Sequence, residues 1–293
     1  MKGLTFIQAK NHWLMKLPVS IQQIIDDNLS GSVTLLKRLI IELEKELLQT
    51  DLDAETFMRY ITEIRRRMEM FAVIRHFCDE LILSHNVTPA AYPQNYLAFI
   101  SDYRNFWERA PYLMARNLEK IVDLKDSRLL LHSNSGTIRE VFRVLSERTE
   151  GVSFYQTLSA PAEEGRIQAH DLAEQGYRVT LITDAAAGAV MPQTDFVILA
   201  ADQMNPTSFI NKTGSLQIVL AAQEFNVPVY VLTESRKSNT AKQGNQRFTD
   251  IRRQPGELLD QIRHPRINAE NIYFEEVPNY LITGFITEKN DKI

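Results

Sequence analysis

From Asp126 onward the chain alternates short runs of β-branched and aliphatic residues with helical stretches, and no other feature restricts the fold as tightly. The pattern predicts strands over residues 128–131, 152–155, 178–182, 196–199 and 228–232, with helices over 137–148, 163–175 and 214–224. Strands separated by helices need long crossovers, which run right-handed and give a parallel sheet covered on both faces. Such sheets bind ligands outside the carboxyl ends of their strands. The loops that follow the strands are therefore where function is sought.

Before Asp126 the grammar is helical. Apolar residues fall at Leu35, Leu36, Leu39, Ile40, Leu43 and Leu47, then at Phe57, Ile61, Ile64, Met68, Phe71 and Ile74, which is the spacing of one helix face. Residues 49–53 supply Thr and Asp as stop and cap signals between the two helices. A Pro-punctuated connector over 88–93 leads into another helix carrying Tyr96, Phe99, Ile100, Phe106 and Leu113. The division that follows is a helical domain over 1–125 and a Rossmann-like ligand-binding domain over 126–293. Arg65, Arg66 and Arg67 read as a solvated face, since Glu63 and Glu69 flank them and consecutive helix positions diverge. The polar stretch over 236–253 reads as a mobile loop.

Composition narrows the function classes. With 44% hydrophobic and 24% charged residues the 293-residue chain is an ordinary globular one, and a net charge of −4 gives no global pull toward nucleic acid or anionic lipid. No uncharged apolar run approaches the roughly 20 residues needed to cross a bilayer, and Lys2, Lys10, His12 and Lys16 interrupt any signal-peptide core. The lone Cys78 forms no internal disulfide and reads as a buried thiol. A cytoplasmic location is expected, with no membrane or direct nucleic-acid partner. The six histidines lack metal-ligand spacing and no G-x-G-x-x-G is present, so neither a metal nor a nicotinamide cofactor is expected.

The strand ends carry the chemistry. The run from Leu129 through His132, Ser133, Asn134, Ser135, Gly136 and Thr137 to Arg139 takes a strand into a polar turn and a helix start, where outward N–H groups and the helix dipole suit a phosphate. Taken alone, Ser135 or Thr137 as a simple helix cap is the stronger reading. Asp202 stands just past the strand over 196–199, and Asn211, Lys212 and Ser215 form a polar knot read as opening the next helix. Together these residues suit a phosphorylated polyol: Lys212 for the phosphate, Asn211 for sugar hydroxyls, Asp202 for a proton. Arg166 either grips a phosphate or pairs with Glu163 or Glu164, and Asp184 either caps a short helix or orients a neighbour. His132 and Ser133 should point to opposite faces, which argues against a Ser–His nucleophile pair.

As a set these residues resemble a known family. His132-Ser-Asn-Ser135, Pro161-x-x-Glu-Gly-Arg166, Leu181-Ile-Thr-Asp184, Ala201-Asp202, Asn211-Lys-x-Gly214, Val227-Pro-Val-Tyr230 and Val277 through Lys289 are similar to the initiation factor 2B alpha/beta/delta family, which includes the ribose-1,5-bisphosphate and methylthioribose-1-phosphate isomerases. The Leu29-Ser30-Gly31-Ser32 segment resembles it more weakly. The resemblance implies an α/β fold, with a helical N-terminal domain before a Rossmann-like, CoA transferase-like parallel sheet. It also implies dimerisation through that sheet domain and a sugar phosphate or nucleotide monophosphate in the crevice, bound by Asn134, Ser135, Gly136, Thr137, Arg166, Asn211, Lys212, Ser30 and Gly31. In the isomerase branches the working pair is a cysteine after the first strand and an aspartate after the fourth. Asp202 matches the aspartate, and Ser133 stands at the cysteine position. A serine hydroxyl is a far weaker acid than a thiol of pKa about 8.5. Leu158-Ser-Ala-Pro161 also replaces the charged Glu-(Ser or Thr)-Arg-Pro that the isomerases resemble.

Two functional classes stay open on these residues. One is an aldose–ketose isomerase of phosphorylated sugars with an altered catalytic residue, Asp202 moving the proton and Ser133 binding the substrate. The other is a non-catalytic regulatory subunit that binds a sugar phosphate or nucleotide monophosphate together with a partner protein. Both imply a homodimer or higher homo-oligomer.

Overall fold

The computed structural model describes residues 16–27, 31–49, 51–87, 92–238, 256–259 and 264–289. The chain divides into two compact units, residues 1–101 and 102–293. Ser30 and most of the expected mobile loop over 236–253 lie outside the described residues.

The first unit is helical. It holds α1 (Val19–Ile25), α2 (Ser32–Gln49), α3 (Ala54–Arg67), α4 (Ala72–Val87) and the start of α5 (Gln94–Ile121). The periodic residues Leu35, Leu36, Leu39, Leu43, Phe57, Ile61 and Ile64 are buried, as a single apolar face requires. Asp53 caps α3 by accepting the Thr56 N–H at 2.8 Å. Cys78 is buried in α4 and burial pushes its thiol well above the ordinary range, which makes it inert. The Arg65–Arg67 run is spent on ion pairs with Asp79, Glu63 and Asp26.

The second unit contains β1 (Arg128–Leu131), α6 (Gly136–Leu145), β2 (Ser153–Thr157), α7 (Gly165–Glu174), β3 (Arg178–Ile182), α8 (Ala187–Val190) and β4 (Phe196–Leu199). There follow β5 (Gln203–Met204), β6 (Ser208–Lys212), α9 (Ser215–Glu224), β7 (Val229–Leu232), α10 (Gly256–Leu259), β8 (Phe274–Pro278) and β9 (Gly284–Ile286). Six strands form a parallel sheet in the order β3-β2-β1-β4-β7-β9. Successive residues of β1 point to opposite faces: Leu129 and Leu131 pack with α6 and α7, Leu130 with the α9 side. Both faces are therefore covered, as a parallel sheet demands. On the first face Phe142, Phe154 and Tyr177 pack edge to face, with centroids 4.9 to 5.9 Å apart.

Three differences from the sequence expectation matter. Asn211 and Lys212 belong to strand β6 rather than to the opening of α9, because β5, β6 and β8 make a separate three-stranded antiparallel sheet. The parallel sheet gains a sixth strand, β9, from only three residues of the closing segment. The helix expected over 137–148 ends at Leu145. Short strands and helix ends are where local pattern carries least information.

The order reverses between β1 and β4, since the chain moves outward from β1 to β3 and then returns to the other side. That reversal opens a crevice beyond the carboxyl ends of β1 and β4. A cavity of about 520 Å³ at the other end of β1, lined by residues 119–125 and 148–150, is remote from it. Truncation of Phe154 to Ala empties the centre of the aromatic cluster and should cost about 3–5 kcal/mol, read as a lower urea midpoint for the second unit.

Candidate functional site

Ser133, two residues past the end of β1, adopts a left-handed backbone, φ 67°, as does Ser159, two residues past β2, φ 64°. Positive φ is uncommon outside glycine and survives only where neighbours impose it. Here they do so through a chain of hydrogen bonds. The Ser133 N–H donates to Ser159 Oγ at 2.7 Å, and the Ser159 and Thr157 hydroxyls lie 3.1 Å apart. The Thr157 hydroxyl sits 2.7 Å from His132 Nδ1, and His132 Nε2 lies 3.0 Å from the Thr213 carbonyl. A carbonyl only accepts, so Nε2 carries the proton and Nδ1 accepts from Thr157. Burial lowers the His132 pKa, opposed by nearby Asp184, and the neutral ring is the form that this chain of donors requires. His132 is thus a packed strand-end residue.

Asp184 fixes the second strand end. Its two carboxylate oxygens accept the N–H groups of Ser159 and Ala160, each at 2.7 Å, so it anchors this loop from the end of β3. Gly165 then opens α7 hard against the loop, where any Cβ would fall 1.9 Å from the Thr157 carbonyl. Glu164, one residue earlier, is carried into the crevice by this approach.

Glu164 Oε1 lies 2.8 Å from Lys212 Nζ and 3.4 Å from the Ser133 hydroxyl. The Lys212 side chain is only 1% exposed, and its ammonium sits 3.2 Å from the centre of the Tyr273 ring. Gly214, φ 110°, completes the turn after β6 with room for no more than hydrogen, because a Cβ there would meet the His132 ring at 3.0 Å. The α9 N-terminus is already occupied: Glu275 of β8 accepts the Gly214 and Leu216 N–H groups, each at 2.8 Å.

Asp202 stands past β4, on the other side of the strand reversal, and is open to solvent. The surrounding protein still desolvates it enough to raise its pKa. Lys237 opposes that shift, Glu164 reinforces it and Lys212 opposes it. Lys237 is itself buried and donates to the Ala201 carbonyl at 2.8 Å. Its loop is held by Glu288, which accepts from the Ser235 N–H at 3.0 Å and from the Ser235 hydroxyl. The closing segment of the chain therefore supports the site from behind.

The structure gathers Ser133, Glu164, Asp202, Lys212 and Lys237 at one edge. Ser135 caps α6, accepting the Ile138 N–H at 3.3 Å, while its own N–H donates to Gln168. The hydroxyl of Thr137 and the Asn134 Oδ1 are buried with no hydrogen-bond partner among the described residues. Asn211 donates to Ser215 Oγ at 2.9 Å and is a strut of the β6 turn. Arg166 pairs with Glu163 at the surface and Arg139 pairs with Asp171, so neither guanidinium joins the cluster. Gly136 is exposed, and Gly31 lies in the first unit. Two residues of the cluster were missed in the sequence as site residues. Lys237 carried a usable signal, a charged run just beyond the strand over 228–232. Glu164 looked like a surface partner of Arg166 because nothing local shows that Lys212 lies opposite it. Among the described residues, no group of His, Cys, Asp and Glu could hold a metal, and no helix is long and apolar enough to cross a membrane.

Comparison with known proteins now decides the family. A model of the initiation factor 2 subunit family matches residues 29–289. The chain belongs to that family. It is 32% identical over 189 residues to a putative methylthioribose-1-phosphate isomerase of Methanosphaera stadtmanae, covering 59% of each chain. It is 30% identical over 162 residues to the ribose 1,5-bisphosphate isomerase of Archaeoglobus fulgidus, covering 55% of this chain and 52% of that one. The chain thus spans little more than half the length of the curated relatives that it matches. A crystal structure of the Pyrococcus horikoshii translation initiation factor eIF-2B superposes with a TM-score of 0.78 at 22% identity, over 93% of this chain and 96% of the other. This likeness bears out the expected architecture, a helical N-terminal region followed by a parallel-sheet α/β domain.

Asp202 also makes a stability prediction for this family member. A carboxylic acid with a raised folded-state pKa binds its proton more readily when folded, so its ionisation opposes folding as pH rises above the ordinary carboxylate value. Asp202→Asn should melt higher than the wild type at pH 7.5. That advantage should shrink toward zero near pH 2.5, below the ordinary carboxylate range, where Asp202 is protonated in both states.

Proposed function

We propose that this protein binds a phosphorylated sugar in the crevice beyond β1 and β4 and interconverts its aldose and ketose forms. The observation that carries the reading is Asp202, a solvent-reached carboxyl with a raised pKa, set across the strand reversal from the α6 turn with buried Lys212 and Lys237 near it. A carboxyl at the crevice near two buried ammonium groups, with its proton affinity raised, is placed to exchange a proton with a bound sugar. The lysines supply positive potential for an anionic substrate. The first turn of α6 offers helix-dipole potential and the unpartnered Thr137 hydroxyl for a phosphate. The names of the isomerase relatives agree with this chemistry.

For an aldose 1-phosphate the reaction balances within the substrate. The hydrogen on C2 passes to C1 with its bonding pair, and the bond from C1 to the ring oxygen breaks. The 2-hydroxyl loses its proton and the freed ring oxygen gains one. No oxidant or reductant is consumed. Two proton-handling groups suffice, of which Asp202 is one.

Ser133 favours a second reading. Where isomerases resembling this chain carry a thiol, a hydroxyl gives up its proton far less readily. A regulatory family member would bind the same ligand without converting it. We also propose that the protein acts in the cytoplasm as a homo-oligomer; β3, an edge strand with Leu181 exposed, supports pairing through the second unit.

The two readings separate in one experiment. The protein is melted with ribose 1,5-bisphosphate, 5-methylthioribose 1-phosphate, ribose 1-phosphate and nucleoside monophosphates, and conversion is followed by NMR. A ligand at 100 times its Kd stabilises the folded state by about 2.7 kcal/mol. The isomerase reading expects stabilisation with conversion, and Asp202→Asn should lower the rate by about 100-fold or more while keeping the stabilisation. Stabilisation without conversion supports the regulatory reading. No response to any of these compounds overturns both.

A further inference from the structure

We infer that Glu164 is the second proton-transfer group of this crevice, working opposite Asp202 in the role for which the turn after β1 offers only the Ser133 hydroxyl. The inference rests on the isomerase reading and assigns it a residue. Its first support is position. Glu164 Oε1 receives the Ser133 hydroxyl at 3.4 Å, so the carboxylate reaches the point where the family resemblance places a thiol. Its second is the state of the other oxygen. Glu164 Oε2 is buried and has no hydrogen-bond partner among the described residues, although buried carboxylate oxygens are ordinarily satisfied. A substrate hydroxyl would complete it.

The third support is the electrostatic setting. The charged and titratable groups facing Glu164 are Lys212 of β6 at 2.8 Å, and within longer reach Asp202 after β4 and His132 after β1; the Tyr273 ring lies against the Lys212 ammonium. Lys212 presents its ammonium to Glu164, whereas Asp202 is pushed toward its neutral form. Two carboxyl groups whose environments differ in this sense divide into a base and an acid. In the aldose-to-ketose direction Glu164 takes the 2-hydroxyl proton as the C2 hydrogen moves to C1 with its electron pair. Asp202 gives its proton to the ring oxygen as the bond from C1 breaks. Each carboxyl ends in the other's starting state, and return of one proton through water resets the pair.

The same geometry explains why the pair forms only in the folded chain. Gly165 must have no side chain for Glu164 to approach, since a Cβ at that position would overlap the Thr157 carbonyl at 1.9 Å. Glu164 is thus delivered by the packing of α7 onto the loop after β2.

The test compares the wild type, Glu164→Gln and Glu164→Asp as full chains, with conversion of ribose 1,5-bisphosphate and 5-methylthioribose 1-phosphate read by NMR across pH 4 to 9. Glu164→Gln should lose at least about 100-fold in kcat, with KM within about threefold and the limb of the pH profile on the acid side flattened. Because the glutamine removes the Lys212–Glu164 ion pair, Glu164→Asp provides a folded control. It keeps a carboxylate facing Lys212, should melt within about 2 °C of the wild type, and should retain a kcat between the other two. Wild-type conversion with both variants within twofold of it overturns the assignment to Glu164 and leaves the isomerase reading standing. A fall in kcat with an unchanged pH profile shows a merely structural carboxylate and also overturns the assignment. No conversion by the wild type overturns both.

Discussion

An ammonium group buried to 1% exposure has to be held by something, and in this protein the Lys212 ammonium organises the second unit around its answer. An unpaired buried charge is costly, while a pair loses much of its attraction to desolvation. Removing one partner of a buried pair typically costs about 3–5 kcal/mol, which makes the pair a strong constraint even where it is a weak source of net stability. Lys212 comes from β6, and it is met by Glu164 from just before α7 and by the Tyr273 ring from the approach to β8. The small antiparallel sheet is thereby fixed against the parallel one. Glu275, which caps α9 from the neighbouring strand, adds a second tie at the same corner.

The rest of the edge follows the same logic of polar groups that must be satisfied. Ser133 and Ser159 tolerate left-handed backbones because a continuous donor chain runs from the Ser133 N–H to the Thr213 carbonyl through Ser159, Thr157 and a neutral His132. Asp184 anchors the middle of that chain through two backbone N–H groups. Once these demands are met, a few polar atoms remain without partners. Among the described residues they include Glu164 Oε2, Thr137 Oγ1 and Asn134 Oδ1 in the turns after β1 and β2. In a network so thoroughly paired elsewhere, the leftover acceptors and hydroxyls mark where a polar ligand would complete the structure.

The sequence made much of this legible, and the limits have physical causes. The five strands read from the alternation after Asp126 all exist; β1, β4 and β7 are apolar runs buried in the middle of the sheet, while β2 and the exposed edge strand β3 were read from their β-branched and aromatic residues between turn signals. The buried face of α2 was equally plain from the 3.6 period, whereas the second helix read through Phe57, Met68 and Ile74 is broken by a turn after Arg67 into α3 and α4. The β5-β6-β8 sheet was not legible, since its strands are two to five residues long and β6 pairs with β8 across more than sixty residues of sequence. That omission misplaced Asn211 and Lys212 at a helix start. Residue types at the site read well one at a time, as at Asp202, but pairings did not. Nothing near Glu164 in sequence announces Lys212, and the adjacent Glu163–Arg166 pair is a plausible surface arrangement that the structure indeed contains.

Ser133 stands where isomerases that this chain resembles are expected to carry a thiol, and the local arrangement bears on what that difference means. A thiol beside a buried lysine and a carboxylate would be one proton carrier among several; its removal leaves a site whose other ionisable groups are in place. The Ser133 hydroxyl donates toward Glu164 rather than toward empty space, so the substitution couples the turn to a carboxylate. The expected signature of such an exchange is a shift of roles rather than their disappearance. In the proposed reaction Asp202, with its raised proton affinity, is the donor, and Glu164, which faces Lys212, is the acceptor.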